Sequence, residues 1–375
     1  MTKKRVLIIS VKAGAGHMRA AQAIEAAFTE EHPEVEAVHV DALEYTNAAF
    51  RNSYTRVYNR LVMELPSVWG MIYESLEKKA AGSPGAKLGA LIDRLNTRRI
   101  LEFVRNFNPD AVVCTHYLGA EILGPRRMKG KFGAPVFVVL TDYDIHTMWI
   151  QQGVDHYFVA SDEMAYALTE KKKCDATVSV TGIPVMPVFA KKYPSRQAMR
   201  KKLGLANVPT VLMSAGGFGL GDIAEVAGQL AEAAGRAQIL AIAGKNKDLE
   251  EALREAAGRS GGRIVPFGFV TNMHELMAAS DMAVTKSGGL TSSECMAMGL
   301  AMVIWNPIPG QEERNADYLL EKGLAVRAHS AAHLVFKVKK MLAEGEMLGR
   351  MQRAALAAGR PQAAYEIARE VIKAI

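Results

Sequence analysis

Cysteine is scarce: Cys114, Cys174 and Cys295 stand far apart in a chain of 375 residues. That excludes a disulfide framework, offers no zinc-ligand spacing and fits a reduced compartment. Long apolar runs are also missing. None reaches the roughly 20 residues that a membrane-crossing helix needs, so any membrane attachment is expected to be peripheral. Internal repeats and low-complexity tracts are absent, which excludes solenoids and arrays. The dinucleotide fingerprint G-x-G-x-x-G is incomplete, because Arg19 stands where the third glycine belongs after Gly14 and Gly16. A nicotinamide-dependent oxidoreductase, with Asp41 as ribose partner, is therefore a poor alternative. The opening MTKKRVLIIS runs straight into a strand without a signal-peptide cleavage region, so a cytoplasmic location is expected.

Cations are in surplus. A net charge of +7 invites an acidic partner: nucleic acid, an anionic membrane surface or a nucleotide-sugar. Charge alone does not choose among them, but no arginine-rich tract, helix-turn-helix or zinc pattern supports nucleic acid. Composition is that of a globular protein, and the length suggests two domains, each able to bury its own core.

The informative stretch is Pro266–Gly323. Asn272-x-x-Glu275 reads as the cap of a short helix ending near Ala279. Met282–Thr285 is a buried strand, Lys286-Ser287-Gly288-Gly289 a loop, and a helix opens at Leu290 or Thr291 and stops at Gly299. A strand over Ala301–Trp305 leads to a loop over 306–312 and a helix closed by Gly323. This alternation is doubly wound α/β, with ligands at the carboxyl ends of the strands. Ser287-Gly288-Gly289 lets backbone approach an anion that the next helix's N–H groups face, which suits a diphosphate. Gln311 and Glu312 together suit sugar hydroxyls, and Glu294 suits the two hydroxyls of a ribose. Thr291-x-x-Glu294 also reads as a capping box, and Gln311 and Glu312 as solvated first-turn residues.

Near the amino terminus, Arg5–Ser10 is a strand, followed by a glycine loop and a helix over Met18–Phe28. His17 stands at the helix's positive end, which favours neutral imidazole and suits a general base; a hydrogen-bonding cap is the other reading. Residues 45–105 interleave aromatics (Tyr54, Tyr58, Trp69) with arginines, as a headgroup-facing amphipathic surface does, or as a helical pair packed on the sheet does. Buried strands over Asp110–Thr115 and Val136–Thr141 deliver His116 and Asp142-Tyr143-Asp144. Asp142-x-Asp144 with His116 and His146 imitates a metal cluster. A second glycine loop, Gly216-Gly217, follows a strand over Val211–Ser214, and Asn246 follows one over Ile239–Ala243. Phe269 and Val270 read either as a uracil clamp or as core. Pro184, Pro187 and Pro194 form a stiff connector where the domain boundary is expected.

Gly268-Phe269-Val270-Thr271-Asn272-Met273, Thr285-Lys286-Ser287-Gly288-Gly289-Leu290-Thr291 and Ile308-Pro309-Gly310-Gln311-Glu312, with Asn315, resemble the donor half of one glycosyltransferase family. That family contains the monogalactosyldiacylglycerol synthases and processive diacylglycerol glucosyltransferases, relatives of the peptidoglycan N-acetylglucosaminyltransferase. Gly14-x-Gly16-His17 matches its signature, although Ala15 replaces a common third glycine. So does Thr141-Asp142 with His146 and Trp149, which makes Asp142, His146 and Trp149 acceptor-side groups rather than metal ligands. The resemblance implies a GT-B architecture: two Rossmann-like α/β domains facing across a cleft, with the C-terminal helix crossing back to the first. The expected domains are 1–190 with the returning helix 358–375, facing acceptor and membrane, and 191–357, binding UDP-sugar.

The function so implied is inverting transfer of galactose or glucose from a UDP-sugar to diacylglycerol, without an essential metal, by an enzyme lying peripherally on the inner face of an anionic membrane. His17 would be the base and Asp142 its partner. Donor contacts would come from Gly216, Gly217, Asn246, Phe269, Val270, Ser287, Gly288, Gly289, Leu290 and Glu294, with Gly310, Gln311, Glu312 and Asn315 at the sugar. Gly16, Tyr54, Tyr58, Trp69, His146 and Trp149 would face the acceptor. Transfer of N-acetylglucosamine to a polyprenyl-linked acceptor is the alternative nearest in kind.

Overall fold

Strand–helix alternation builds two parallel sheets. The computed structural model describes residues 3–12, 14–47, 51, 56, 60–61, 64–78, 97–170, 176–214 and 223–375. These divide into two units: Met1–Pro187 with Gln362–Ile375, and Val188–Pro361.

In the first unit the strands are β1 (Arg5–Ser10), β2 (Glu36–Asp41), β3 (Ala111–Cys114), β4 (Val136–Val139), β5 (His156–Val159) and β6 (Thr177–Val180). Their order in the sheet is β2-β1-β3-β4-β5-β6, all parallel. Val6 to Ile9, Val112 and Phe137 are 0–2 % exposed, as expected of strands covered on both faces. The helices are α1 (Gly16–Glu31), α2 (Pro66–Lys78), α3 (Arg98–Phe107), α4 (Tyr117–Met128) and α5 (Asp162–Glu170). The backbones of Gly124 in α4 and Gly153 touch, and a Cβ on Gly124 would fall 1.8 Å from the Gln152 carbonyl oxygen. Only glycine allows α4 so close to the segment that follows Trp149.

The second unit carries α6 (Arg196–Lys202), β7 (Thr210–Ser214), α7 (Ile223–Ala233), β8 (Gln238–Ile242), α8 (Lys247–Arg259), β9 (Ile264–Phe267), α9 (Met273–Ala279) and β10 (Met282–Thr285). Then come α10 (Gly289–Ala297), β11 (Ala301–Trp305), α11 (Gln311–Glu321), β12 (Ala325–Ala328), α12 (Ala331–Ala343) and α13 (Gly345–Ala358). The sheet order is β12-β11-β10-β7-β8-β9. Val211, Ile239, Val284, Val303 and Leu334 anchor its core. The last helix, α14 (Ala363–Lys373), belongs to the first unit and packs on α1. Tyr365 donates to Glu30 at 2.5 Å and Arg369 pairs with Glu31 at 2.8 Å.

Two expectations need correction. Asn272 does not cap α9 with its side chain; its amide donates to Glu275 Oε2 at 3.0 Å. The helix after β10 starts at Gly289, which puts Thr291 inside it and removes the capping-box reading of Glu294. Gly299 and Gly323 do end their helices, with φ of 64° and 67°, in the left-handed conformation that glycine adopts freely.

Candidate functional site

Each sheet has one place where strand order reverses, between β1 and β3 and between β7 and β10. Loops at the carboxyl ends there are the expected ligand positions. Tyr54, Tyr58, Gly216 and Gly217 lie outside the described residues; the other predicted positions are described.

In the first unit the loop after β1 turns at Gly14, φ 83°, and opens α1 at Gly16. The first turn of α1 has neither a side-chain cap nor an acidic residue, so its N–H groups keep their positive end. His17 is clamped to the loop after β3 in both directions. Its Nδ1 lies 2.9 Å from the Thr115 carbonyl oxygen, and Thr115 Oγ1 donates to the His17 carbonyl at 2.9 Å. A carbonyl only accepts, so Nδ1 carries the hydrogen and Nε2 the lone pair. Thr141 Oγ1, after β4, also lies 3.0 Å from Nδ1. Burial pushes the His17 imidazole below its ordinary value, against the opposing pull of the Asp142 charge and the Thr115 carbonyl. The Asp142 charge thus acts on His17, and Trp149, 5 % exposed, has its ring 5.9 Å away.

His146 is 1 % exposed and both its nitrogens are engaged. Nδ1 accepts the Met148 N–H at 3.2 Å, and Nε2 donates to the Tyr73 carbonyl at 3.0 Å, with Glu77 at 3.4 Å. The residue fastens α2 to the loop that bears Asp142 and Trp149. Trp69 is half-buried on the same helix, its ring 6.2 Å from Tyr73. Among the described residues no three His, Cys, Asp or Glu side chains are placed to hold a metal ion.

In the second unit β10 delivers Lys286 and Ser287, and Gly288 precedes α10 with no side-chain cap. The first-turn N–H groups form the positive end of the helix, the kind of position that suits an anion. Ser287 is buried, and its hydroxyl donates to the Glu312 carbonyl at 2.5 Å. Gly310, φ 93° and ψ −114°, turns the chain into α11, a conformation open only to glycine. Glu312 Oε2 then accepts the Ile308 N–H at 2.7 Å, and a Cβ on Gly288 would stand 3.6 Å from Oε1. The carboxylate thus lies over the glycine that precedes α10. Lys286, 7 % exposed, is pushed by burial below the ordinary lysine value, while Glu312 acts to raise it. Gln311 and Glu294 are half-buried, Gly289 and Leu290 buried, and Asn315 wholly buried. Asn246 caps α8, accepting the Leu249 N–H at 3.0 Å. Phe269 is 64 % exposed with Lys245 Nζ 5.2 Å from its ring centre, which removes the core reading; Val270 beside it is half-buried.

Thr115, Thr141, Tyr73 and Lys286 had no place among the predicted site residues. Thr115 directly follows β3, a strand that flanks the topological reversal, and that position is the signal that marks it; Thr141 follows β4, one strand further from the reversal.

The monogalactosyldiacylglycerol synthase family model matches residues 17–185, and the glycosyltransferase family 28 C-terminal domain matches 222–369. The chloroplastic monogalactosyldiacylglycerol synthase of Spinacia oleracea is 31% identical over 383 residues, covering 98% of this chain and 72% of that protein. This chain belongs to the monogalactosyldiacylglycerol synthase family. The processive diacylglycerol beta-glucosyltransferase of Bacillus subtilis (strain 168), 27% identical, covers 94% of this chain and 90% of its own length. The fold of this family member is GT-B: MurG of Acinetobacter baumannii matches 99% of both chains at a TM-score of 0.64, with 15% identity. A UDP-glucosyltransferase from Polygonum tinctorium matches 100% of this chain and 99% of its own at 0.66, with 13% identity. As a family member the chain is a glycosyltransferase acting in glycolipid synthesis. No helix among the described residues is long and apolar enough to cross a membrane.

Proposed function

We propose that this enzyme transfers galactose or glucose from a UDP-sugar to diacylglycerol with inversion at the anomeric carbon. The observation that carries the reading is the hydrogen bond between His17 Nδ1 and the Thr115 carbonyl. It commits Nδ1–H and leaves the basic lone pair on Nε2, in the first turn of α1 at the first sheet's reversal point.

In this reading Nε2 takes the proton of the acceptor hydroxyl as that oxygen attacks the anomeric carbon. The bond to UDP breaks with its electron pair leaving on the diphosphate, and the proton stays on His17. Asp142 stabilises the imidazolium. The N-terminus of α10 and the Ser287-Gly288-Gly289 backbone receive the charge on the leaving group. Phe269 and Val270 stack on uracil, Glu294 takes the ribose, and Gln311 and Glu312 take sugar hydroxyls, with Asn315 supporting them from within α11. Because UDP-hexoses carry the sugar in the α configuration, inversion gives a β-glycoside. Positive charge and α2 bring the enzyme to an anionic membrane surface.

The deciding experiment incubates the protein with diacylglycerol liposomes and each labelled UDP-hexose, then determines the anomeric configuration of the product by NMR. A β-glycosyldiacylglycerol is expected. An α-linked product would overturn inversion, and transfer only to a polyprenyl-linked acceptor would favour the alternative. Turnover is expected to survive EDTA, since helix N-terminal N–H groups supply the charge stabilisation; loss of activity restored by a divalent ion would reverse that expectation.

A further inference from the structure

His116 stands beside the proposed base and has no part in the transfer described above. Its Nδ1 accepts the Leu118 N–H at 3.2 Å and so caps α4. The ring hydrogen therefore sits on Nε2. Protonating Nδ1 would break that cap and set a cation against the positive end of a helix. The side chain is 4 % exposed, and burial holds its imidazole well below the ordinary histidine value, with His17 adding to the effect. His116 is thus held neutral by a helix whose start it defines.

This neutral ring is set against His17. The two ring centres are 4.7 Å apart with planes at 87°, and Trp149 lies 5.9 Å from one and 6.2 Å from the other. Asp142 acts on His17 from the loop after β4, Tyr117 packs its ring 4.2 Å from His116, and α1 brings no acid in its first turn. A carboxylate beside a histidine favours its protonated form, and a histidine already protonated when the acceptor arrives cannot act as base. Something must offset Asp142, and dry, uncharged surroundings do so.

We propose that His116 is a positioning residue for His17, an uncharged imidazole wall locked by α4 that excludes water from one side of the base and prevents Asp142 from trapping it as an ion pair. The proposal rests on the reading of His17 as base.

The test reads His17 directly. With histidine labelled at Cε1 with carbon-13, and the His17 signal assigned from His17→Gln, an NMR titration follows the imidazole without any need for turnover. Wild-type His17 is expected to titrate below the ordinary 6.5. In His116→Asn, whose side-chain oxygen can still cap α4, the midpoint is expected to rise by about one pH unit. In His116→Phe, which keeps the ring and loses its polar atoms, the midpoint is expected to stay near wild type. The acid limb of kcat/KM is expected to move with the titration in His116→Asn, while KM for the UDP-hexose changes by less than about twofold.

A wild-type midpoint at or above 6.5 overturns the proposal before any variant of His116 is made. An unchanged midpoint in His116→Asn also overturns it, even alongside a reduced kcat, because a purely structural role slows the enzyme without moving the titration. Near-normal transfer by His17→Ala is a separate failure: it removes the base assignment on which the proposal rests, and it is read from turnover rather than from the titration.

Discussion

At His17 one hydrogen bond selects which nitrogen keeps its lone pair. Replacing His17 with Ala is expected to lower kcat by about 100- to 10,000-fold, the range of general-base contributions, while equilibrium binding of the UDP-hexose changes little. Calorimetric titration beside initial rates separates the two effects. The pH dependence has a definite sign. A base works when neutral, and burial places His17 below its ordinary 6.5, so the acid limb of kcat/KM should have its midpoint below pH 6.5. A profile already halved at pH 7 would contradict this. The candidate base was legible in the sequence, because Gly14-x-Gly16-His17 after a strand is a local pattern. Its tautomer was not: the groups around Nδ1, Thr115 and Thr141, lie 98 and 124 residues away. The histidines of the apparent metal cluster had the same ambiguity. His116 and His146 carry chemistry-bearing side chains, yet through Nδ1 the first caps α4 and the second a 3-10 turn over Thr147–Trp149, and only the fold reveals that task.

At the scale of elements, two segments can be tested. The loop between β11 and α11 depends on Gly310, whose φ of 93° and ψ of −114° oppose any Cβ. Gly310→Ala is expected to cost about 1–3 kcal/mol, seen as a lower Tm, and to raise KM for the UDP-hexose by displacing Glu312. An unchanged Tm would mean that the loop relaxes without strain. The second segment is α2 with the residue before it, where Leu65, Met71 and Ile72 are 46, 64 and 36 % exposed. Replacing the three with serine should weaken flotation with anionic liposomes while leaving the Tm within about 1 °C, because exposed apolar groups contribute little to folding. Equal flotation would leave membrane contact to other residues. Most strands were readable from short apolar runs, Met282–Thr285 and Ala301–Trp305 to the residue. The strands β9 and β12 escaped notice. Both are edge strands with weak apolar pattern, and Pro266 reads as a breaker until the sheet places it at an edge, where a missing N–H is tolerated.

Over the whole molecule, the return of the C-terminal segment to the first unit makes the last residues part of the first core. Ile367 and Val371 are wholly buried in α14. Deleting 362–375 should therefore destabilise the first unit by at least about 3 kcal/mol from these two side chains alone, measured by urea denaturation; a shift well below that would show that α1 finds other cover. The sequence by itself determined the alternation of strand and helix, the glycine turns and the motif loops, since propensity, period and turn chemistry act within a few residues. Tertiary structure alone decided that Thr115 fixes His17, that His146 binds α2 to the loop after β4, that Glu312 lies over Gly288, and that Phe269 stays in solvent. Those outcomes depend on hydrogen bonds and burial between groups distant along the chain, and such partners exist only after the strands have taken their order in the sheet.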